Sequence, residues 1–148
     1  MPADPPVAAP CGRHALVLVA EDDDELRSLL ATVLRRDGHD VHEVRSGTQL
    51  LRFLEVAAGA GPGAPSLPDL VVSDVKRPGL TGLEVASAIR RAALPVPIVL
   101  ITAFGDEDAH RRADELGATM LDKPFDLGAL RGAVRTLLSA AERPTGTG

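Results

Sequence analysis

The sequence predicts a doubly wound α/β fold in which five parallel strands alternate with five helices. Short apolar runs of strand length alternate along the chain with segments whose apolar residues recur at helical spacing. The connections between most of these segments are short, which favours a parallel sheet with helices on both faces. Polar side chains also follow four of the five predicted strands, where the ligand sites of such sheets lie.

The predicted strands are short runs that are apolar or rich in β-branched residues. The first is a continuous apolar run, as expected for a strand with both faces covered. The third ends in a carboxylate, Asp74, and is followed by a turn that contains proline and glycine. The five predicted strands are residues 14–20, 40–44, 70–73, 98–101 and 119–121.

The predicted helices follow the strands in order. The first begins after the acidic run 21–25 and ends at Asp37 and Gly38. Ser46 is the predicted N-cap of the second helix, and Thr81 that of the third. The third, fourth and fifth helices are predicted over residues 82–93, 106–116 and 126–141. Residues 1–12 are predicted to be a flexible arm, 13–141 a single domain, and 142–148 a disordered tail.

Composition excludes several classes of function. The net charge of −5 and the aromatic content of 2% argue against direct nucleic-acid binding. The arginine pairs at 35–36, 90–91 and 111–112 are interpreted as solvated surfaces of different helices. Cys11 is the only cysteine, which excludes a disulfide framework, and no apolar run is long enough for a membrane span. A cytoplasmic protein is expected, since residues 1–10 lack the features of a signal peptide.

Reactive side chains are predicted to converge at the carboxyl edge of the sheet. Glu21 and Asp22 follow the first strand, Asp74 ends the third, Thr102 ends the fourth and Lys123 follows the fifth. In a parallel sheet these strand ends lie along one edge. The convergence is stronger support for a site than any single motif.

Three carboxylates at one edge would repel each other, and a divalent cation would resolve that repulsion. Magnesium is the expected ion, with manganese as the alternative, and Asp22 and Asp74 are the predicted direct ligands with Glu21 acting through water. The alternative interpretation of an acidic run is helix capping, which is preferred for residues 23–25.

The same edge has groups that could bind a phosphoryl group. Lys123 supplies a positive charge and Thr102 a hydroxyl, against the alternatives of a solvent-exposed lysine and an ordinary threonine at a strand end. Together with a metal, they suit formation of an acyl phosphate on Asp74. No glycine-rich loop follows the first strand, so a nucleotide or flavin phosphate has no obvious cradle.

The sequence resembles the receiver domains of response regulators from two-component signalling. The resemblance covers roughly residues 14–140, and its motifs appear in order and at similar spacing. They are residues 18–23 (LVAEDD), 69–74 (DLVVSD) with 77–85 (RPGLTGLEV), 101–103 (ITA) and 122–125 (DKPF). The resemblance implies a flavodoxin-like fold with strand order 2-1-3-4-5.

The resemblance also implies a role for each residue at the edge. Asp74 would accept a phosphoryl group from a phosphohistidine on a sensor histidine kinase or a histidine phosphotransfer protein. Glu21 and Asp22, with Asp74 and the main-chain carbonyl of Lys76, would surround the magnesium ion. The phosphoryl group would be bound by Thr102 and Lys123, and the Lys123–Pro124 bond would be cis.

The implied activity is limited to self-phosphorylation, from phosphohistidine or an acyl phosphate, and slow autodephosphorylation. Output would pass to a downstream protein through the face formed by the fourth helix, the fifth strand and the fifth helix. The exposed edge of the last helix is a further candidate contact, for a partner or for a phosphorylation-dependent homodimer.

Two departures from the family pattern affect the expected switch. Family members often have tyrosine or phenylalanine three residues before the lysine, where this chain has Met120, so switching gated by an aromatic ring is not assumed. Lys76 and Phe104 occupy positions that tune water access in the family, and Phe104 is expected to lengthen the lifetime of the acyl phosphate.

Two other functions remain open from the sequence. Phosphatases and phosphotransferases that use an aspartate nucleophile usually have a second aspartate two residues later, where this chain has Lys76. A pseudo-receiver would bind partners without being phosphorylated.

Overall fold

The computed structural model describes residues 15–59, 61–74, 81–102, 107–123 and 126–142. Several expectations fall outside these ranges: the arm at 1–12, the last six residues of the predicted tail, the carbonyl of Lys76, the ring of Phe104 and the Lys123–Pro124 bond.

Five parallel strands form one sheet in the order β2-β1-β3-β4-β5. This confirms the predicted fold class and strand order. The strands are β1 (Leu16–Ala20), β2 (Asp40–Val44), β3 (Leu70–Asp74), β4 (Ile98–Thr102) and β5 (Ala118–Asp122). β5 exceeds its predicted length by one residue at each end because all five of its residues pair with β4.

Five helices connect and follow the strands, as predicted. They are α1 (Asp24–Arg36), α2 (Gly47–Gly59), α3 (Gly82–Arg91), α4 (Glu107–Glu115) and α5 (Leu127–Glu142). α3 ends two residues earlier than predicted. The chain leaves the helix at Ala92, and Ala93 has a φ of 60°, a left-handed conformation that is uncommon for a residue other than glycine. None of the described helices is both long and apolar enough to cross a membrane.

Side-chain caps fix the helix starts. Asp23 accepts from the Leu26 N–H, which confirms capping by this part of the acidic run. Ser46 accepts from the Gln49 N–H at the start of α2. The predicted cap Thr81 forms a reciprocal capping box with Glu84.

Two apolar cores lie on opposite faces of the sheet, so the central strands are buried on both sides. Along β1, Val17 and Val19 contribute to one core and Leu18 and Ala20 to the other. The first core contains side chains from α1 and α5, and the second contains side chains from α2 and α3. The two layers of helices therefore cover both faces of the sheet and fix the positions of its strand ends.

Two hydrogen bonds join the starts of β1 and β3. The Leu16 N–H donates to Oδ2 of Asp69 over 2.8 Å, and the Asp69 N–H donates to the Leu16 carbonyl over 2.7 Å. These bonds lie at the end of the sheet opposite the predicted site.

The interpretation of Arg90 as a solvated surface residue is wrong. Its guanidinium donates to the carbonyls of Leu116 (2.7 Å), Leu94 (3.1 Å) and Val96 (3.0 Å). One side chain on α3 thereby binds the segment before β4 and the end of the α4 region. The side chain satisfies carbonyls that helix ends and turns leave without partners.

Candidate functional site

The structure brings the predicted residues together at the carboxyl edge of the sheet. Asp74 and Thr102 are the last residues of the adjacent strands β3 and β4, and both are buried. Glu21 and Asp22 follow β1, the other neighbour of β3. Lys123 follows β5 and reaches Asp74 across the end of β4.

Three carboxylates form the acidic part of the site. Each of Glu21, Asp22 and Asp74 offers an oxygen, and these oxygens lie within 4.8 Å of one another. Glu21 is 1% exposed and Asp74 is 9% exposed, whereas Asp22 is open to solvent. The cluster therefore has a buried base and an accessible side.

Glu21 is the most constrained of the three carboxylates. The Asp23 N–H donates to its Oε2 over 3.0 Å, but its buried Oε1 has no hydrogen-bond donor within the described part of the chain. Burial, and after it contact with the Asp74 carboxylate, raises the pKa of Glu21 from 4.5 to about 8. Two carboxylates can hydrogen-bond to each other only through a shared proton, so either a proton or a cation would relieve the repulsion in this corner of the site.

The three carboxylates fit a hard divalent cation. Such ions prefer oxygen ligands, and magnesium commonly takes one or two carboxylates and keeps several waters. Two features provide this: the buried Oε1 of Glu21, which accepts no hydrogen bond from the described residues, and the solvent-facing Asp22. The donor set therefore suits magnesium or manganese.

A positive charge lies on the other side of Asp74. Nζ of Lys123 is 3.3 Å from Oδ2 of Asp74, and the lysine side chain is 26% exposed. The Lys123 N–H donates to the Thr102 carbonyl over 2.6 Å, so the ends of β4 and β5 stay joined beside Asp74. A group bound at Asp74 would thus meet the Lys123 ammonium beside the end of β4, where Thr102 lies.

Met120 lies in β5, two residues before the strand ends, and is partly buried against the core that contains the α2 and α3 side chains. Its position three residues before Lys123 is that of the aromatic residue common in the family. The Met120 side chain packs against this core where family members often have an aromatic ring.

Two residues near the site were not found from the sequence. Arg27 of α1 donates to the Glu21 carbonyl over 2.8 Å, and His110 of α4 has Nε2 3.0 Å from both carboxylate oxygens of Asp122. The spacing of Arg27 three residues after Asp24 was an available signal for the first. The contact of His110 depends on the packing of α4 beside β5, which no local pattern indicates.

Comparison with known proteins places this geometry in a family. Residues 17–135 match the model of the response regulator receiver domain. The chain is 30% identical over 123 residues to sporulation initiation phosphotransferase F of Bacillus subtilis, covering 82% of this chain and 92% of the relative. It is 32% identical over 139 residues to the alkaline phosphatase synthesis transcriptional regulatory protein SphR of Synechococcus elongatus. That match covers 93% of this chain but only 53% of the regulator, so the chain spans about half of its length.

A solved structure shares the same fold. The signal receiver domain of a signal transduction histidine kinase from Syntrophus aciditrophicus superposes with a TM-score of 0.73 at 27% identity, covering 89% of this chain and 96% of that one. The motifs, the strand order and the family match agree. This chain belongs to the response regulator receiver domain family.

Proposed function

We propose that this chain is the phosphoacceptor receiver of a two-component phosphorelay, and that Asp74 takes a phosphoryl group from a phosphohistidine in a magnesium-dependent reaction. The observation that carries the proposal is the environment of Asp74. Its carboxylate is 9% exposed, lies within 4.8 Å of the oxygens of Glu21 and Asp22, and is 3.3 Å from the ammonium of Lys123.

The proposed reaction is an in-line displacement at phosphorus. A carboxylate oxygen of Asp74 attacks the phosphorus atom, the new O–P bond forms, and the N–P bond of the phosphohistidine breaks. The electron pair of the broken bond returns to the imidazole nitrogen of the donor protein. Asp74 becomes an acyl phosphate. When water later hydrolyses it, inorganic phosphate is released and the carboxylate is regenerated.

The residues around Asp74 have distinct roles in this proposal. Lys123 moves from the carboxylate to the incoming phosphoryl oxygens, which carry more negative charge than the carboxylate alone. The Thr102 hydroxyl donates to one of those oxygens. Glu21 and Asp22, together with Asp74 and the Lys76 carbonyl, would hold the cation. A bound magnesium ion would neutralise charge on the transferred group.

The proposed donor is a sensor histidine kinase or a histidine phosphotransfer protein, and residues 13–141 form the proposed functional unit. The name of the Bacillus subtilis relative, a phosphotransferase, supports a role in phosphoryl transfer. The proposed output surface consists of α4, β5 and α5, because Thr102 and Lys123 lie at the ends of β4 and β5 beside it. A homodimer formed on phosphorylation is one output that this surface could serve.

Intact mass measured after incubation with a small acyl phosphate donor tests the proposal. We expect wild type to gain one phosphoryl group with magnesium and none after chelation. Asp74→Asn should gain nothing, because the amide is not a nucleophile for this reaction. Asp108→Asn, which changes an exposed carboxylate of α4, is the matched control and should be modified like wild type.

Two results would contradict the proposal and favour its alternatives. A protein that gains no mass, or gains it equally in Asp74→Asn, would point to a pseudo-receiver in which Asp74 is structural. Rapid multiple turnover of simple phosphate esters would point to a phosphatase.

A further inference from the structure

Arg27 connects the acidic loop of the site to two other parts of the fold. It lies in the first turn of α1, and its side chain is only 12% exposed. Nη1 donates to the Glu21 carbonyl over 2.8 Å, and Nη2 donates to Oδ1 of Asp24 over 2.6 Å. Nε is 3.4 Å from Oε1 of Glu43 on β2. One planar guanidinium therefore binds both ends of the loop from residue 21 to residue 24 and anchors it to the edge strand.

Other bonds also hold residues 21–24, and Asp23 accepts from the Leu26 N–H through its side chain and from the Arg27 N–H through its carbonyl. The Glu21 N–H donates to the Val44 carbonyl over 3.1 Å, and the Asp23 N–H donates to the Glu21 side chain. Arg27 donates to the Glu21 carbonyl, which belongs to the peptide bond between Glu21 and Asp22. This bond fixes the backbone before Asp22, just beyond the end of β1.

We infer that Arg27 is a positioning residue for the cation site, acting through the Glu21 carbonyl to hold Glu21 and Asp22 in place for the metal. This inference rests on the proposed function, because it assumes that the carboxylate cluster binds a divalent ion. Planar bidentate geometry matters here, since an ammonium cannot reach the carbonyl and both carboxylates at once. Partners that orient metal ligands commonly change metal affinity by 10- to 100-fold when they are lost.

The direction of the change in Mg²⁺ affinity distinguishes a positioning role of Arg27 from a simple effect of its charge. Arg27 is a cation near an acidic site, so removing its charge alone would strengthen the binding of Mg²⁺ through reduced repulsion. Loss of positioning has the opposite effect and weakens binding. Arg27→Lys provides a second separation, because it keeps the charge and loses the fork of donors.

Calorimetric titration of the full chain with Mg²⁺ alone tests the inference. We expect Arg27→Gln to weaken Mg²⁺ binding about tenfold, at the lower end of the range for such partners, and Arg27→Lys to weaken it as well. The matched control is Arg35→Gln, since Arg35 on the same helix also pairs with Glu43 (3.0 Å) and binds a β2 carbonyl, but does not contact residues 21–24. This control should bind Mg²⁺ within about twofold of wild type, because its contacts lie outside the loop.

Amide hydrogen exchange of the metal-free proteins gives a readout that does not depend on metal binding. We expect faster exchange at Asp22 and Asp23 in Arg27→Gln than in wild type or Arg35→Gln, with the rest of the sheet unchanged if the variant is folded. Unchanged or tighter Mg²⁺ binding by Arg27→Gln, or unchanged exchange in the loop, would overturn the positioning role while the proposed function stands. A wild-type chain that binds no Mg²⁺ would instead overturn the metal dependence on which both proposals rest.

Discussion

The ammonium of Lys123 lies 3.3 Å from Oδ2 of Asp74, although 48 residues separate the two in sequence and they are attached to strands on either side of β4. The pair spans the width of one strand at the carboxyl edge of the sheet. The pair consists of a carboxylate that is almost buried and a cation that is partly open to solvent.

The first prediction concerns this pair. Lys123→Gln should slow phosphorylation of Asp74 by a small acyl phosphate roughly 10- to 100-fold, because an amide cannot supply the charge-assisted hydrogen bond, worth about 1.5–3 kcal/mol. The rate of mass gain at saturating Mg²⁺ measures the effect. Arg111→Gln, a change at an exposed cation of α4, should leave the rate unchanged. Equal rates for wild type and Lys123→Gln would remove Lys123 from the proposed mechanism.

The second prediction is a pH dependence of stability that arises from Glu21. The fold raises the pKa of this carboxyl from 4.5 to about 8, so the folded protein binds the proton more tightly than the unfolded chain does. The resulting stabilisation is complete below pH 4.5 and is lost as the pH rises toward 8, by up to about 1.4 kcal/mol per pH unit. Urea unfolding in chelator between pH 5 and pH 8 measures this slope.

Two changes should reduce the pH dependence of stability that arises from Glu21. Saturating Mg²⁺ should do so by stabilising the ionised carboxylate, and Glu21→Gln should do so by removing the titrating group. Glu25→Gln, at an exposed position in the first turn of α1, is the control and should retain the wild-type slope. Identical slopes in Glu21→Gln and wild type would show that another group governs stability in this range.

The third prediction concerns Arg90 and the backbone carbonyls that it binds. Arg90→Ala should destabilise the protein by about 2–3 kcal/mol, since partly buried carbonyls before β4 and at the end of the α4 region lose a charged donor. Arg90→Lys should recover only part of this loss, because an ammonium cannot reproduce the planar fork. Arg91→Ala, at the exposed neighbouring position, should change stability by less than about 0.5 kcal/mol. Chemical denaturation compares the three variants, and equal effects at both arginines would contradict the prediction.

The fourth prediction concerns Ala93, whose φ is 60°. Ala93→Gly should stabilise the protein by about 0.5–1 kcal/mol, because glycine adopts this conformation without the steric cost that a Cβ imposes. Ala92→Gly provides the contrast: Ala92 has a φ of −81°, so glycine there should only add entropy to the unfolded chain and destabilise the protein. Thermal unfolding of both variants should therefore give shifts of opposite sign. A lower melting temperature for Ala93→Gly would contradict the assigned conformation.

The parts of this fold that sequence could predict are those with local signals. Capping residues such as Thr81 and the apolar runs of the central strands each identify an element, and the strand ends then place Asp74 and Lys123 at one edge. Arg90 and Arg27 were missed for a common physical reason. Both bind backbone carbonyls, which every residue has, so only the tertiary arrangement determines which carbonyls a long side chain reaches; the spacing of Arg27 from Asp24 indicates only the ion pair between them. Ala93 was missed because no glycine marks its left-handed backbone.

The two hydrogen bonds between Asp69 and Leu16 affect the register of β3 against β1. A strand with one solvent-facing side cannot shift by one residue against its neighbour, because its apolar side chains would then face water. β3 is buried on both faces and lacks that safeguard. A slip of one residue relative to β1 would turn Ser73 toward the carboxylate cluster and Asp74 toward the opposite core. The Asp69 side chain can accept from the Leu16 N–H in only one alignment, so it fixes the register that keeps the Asp74 carboxylate beside Glu21 and Asp22.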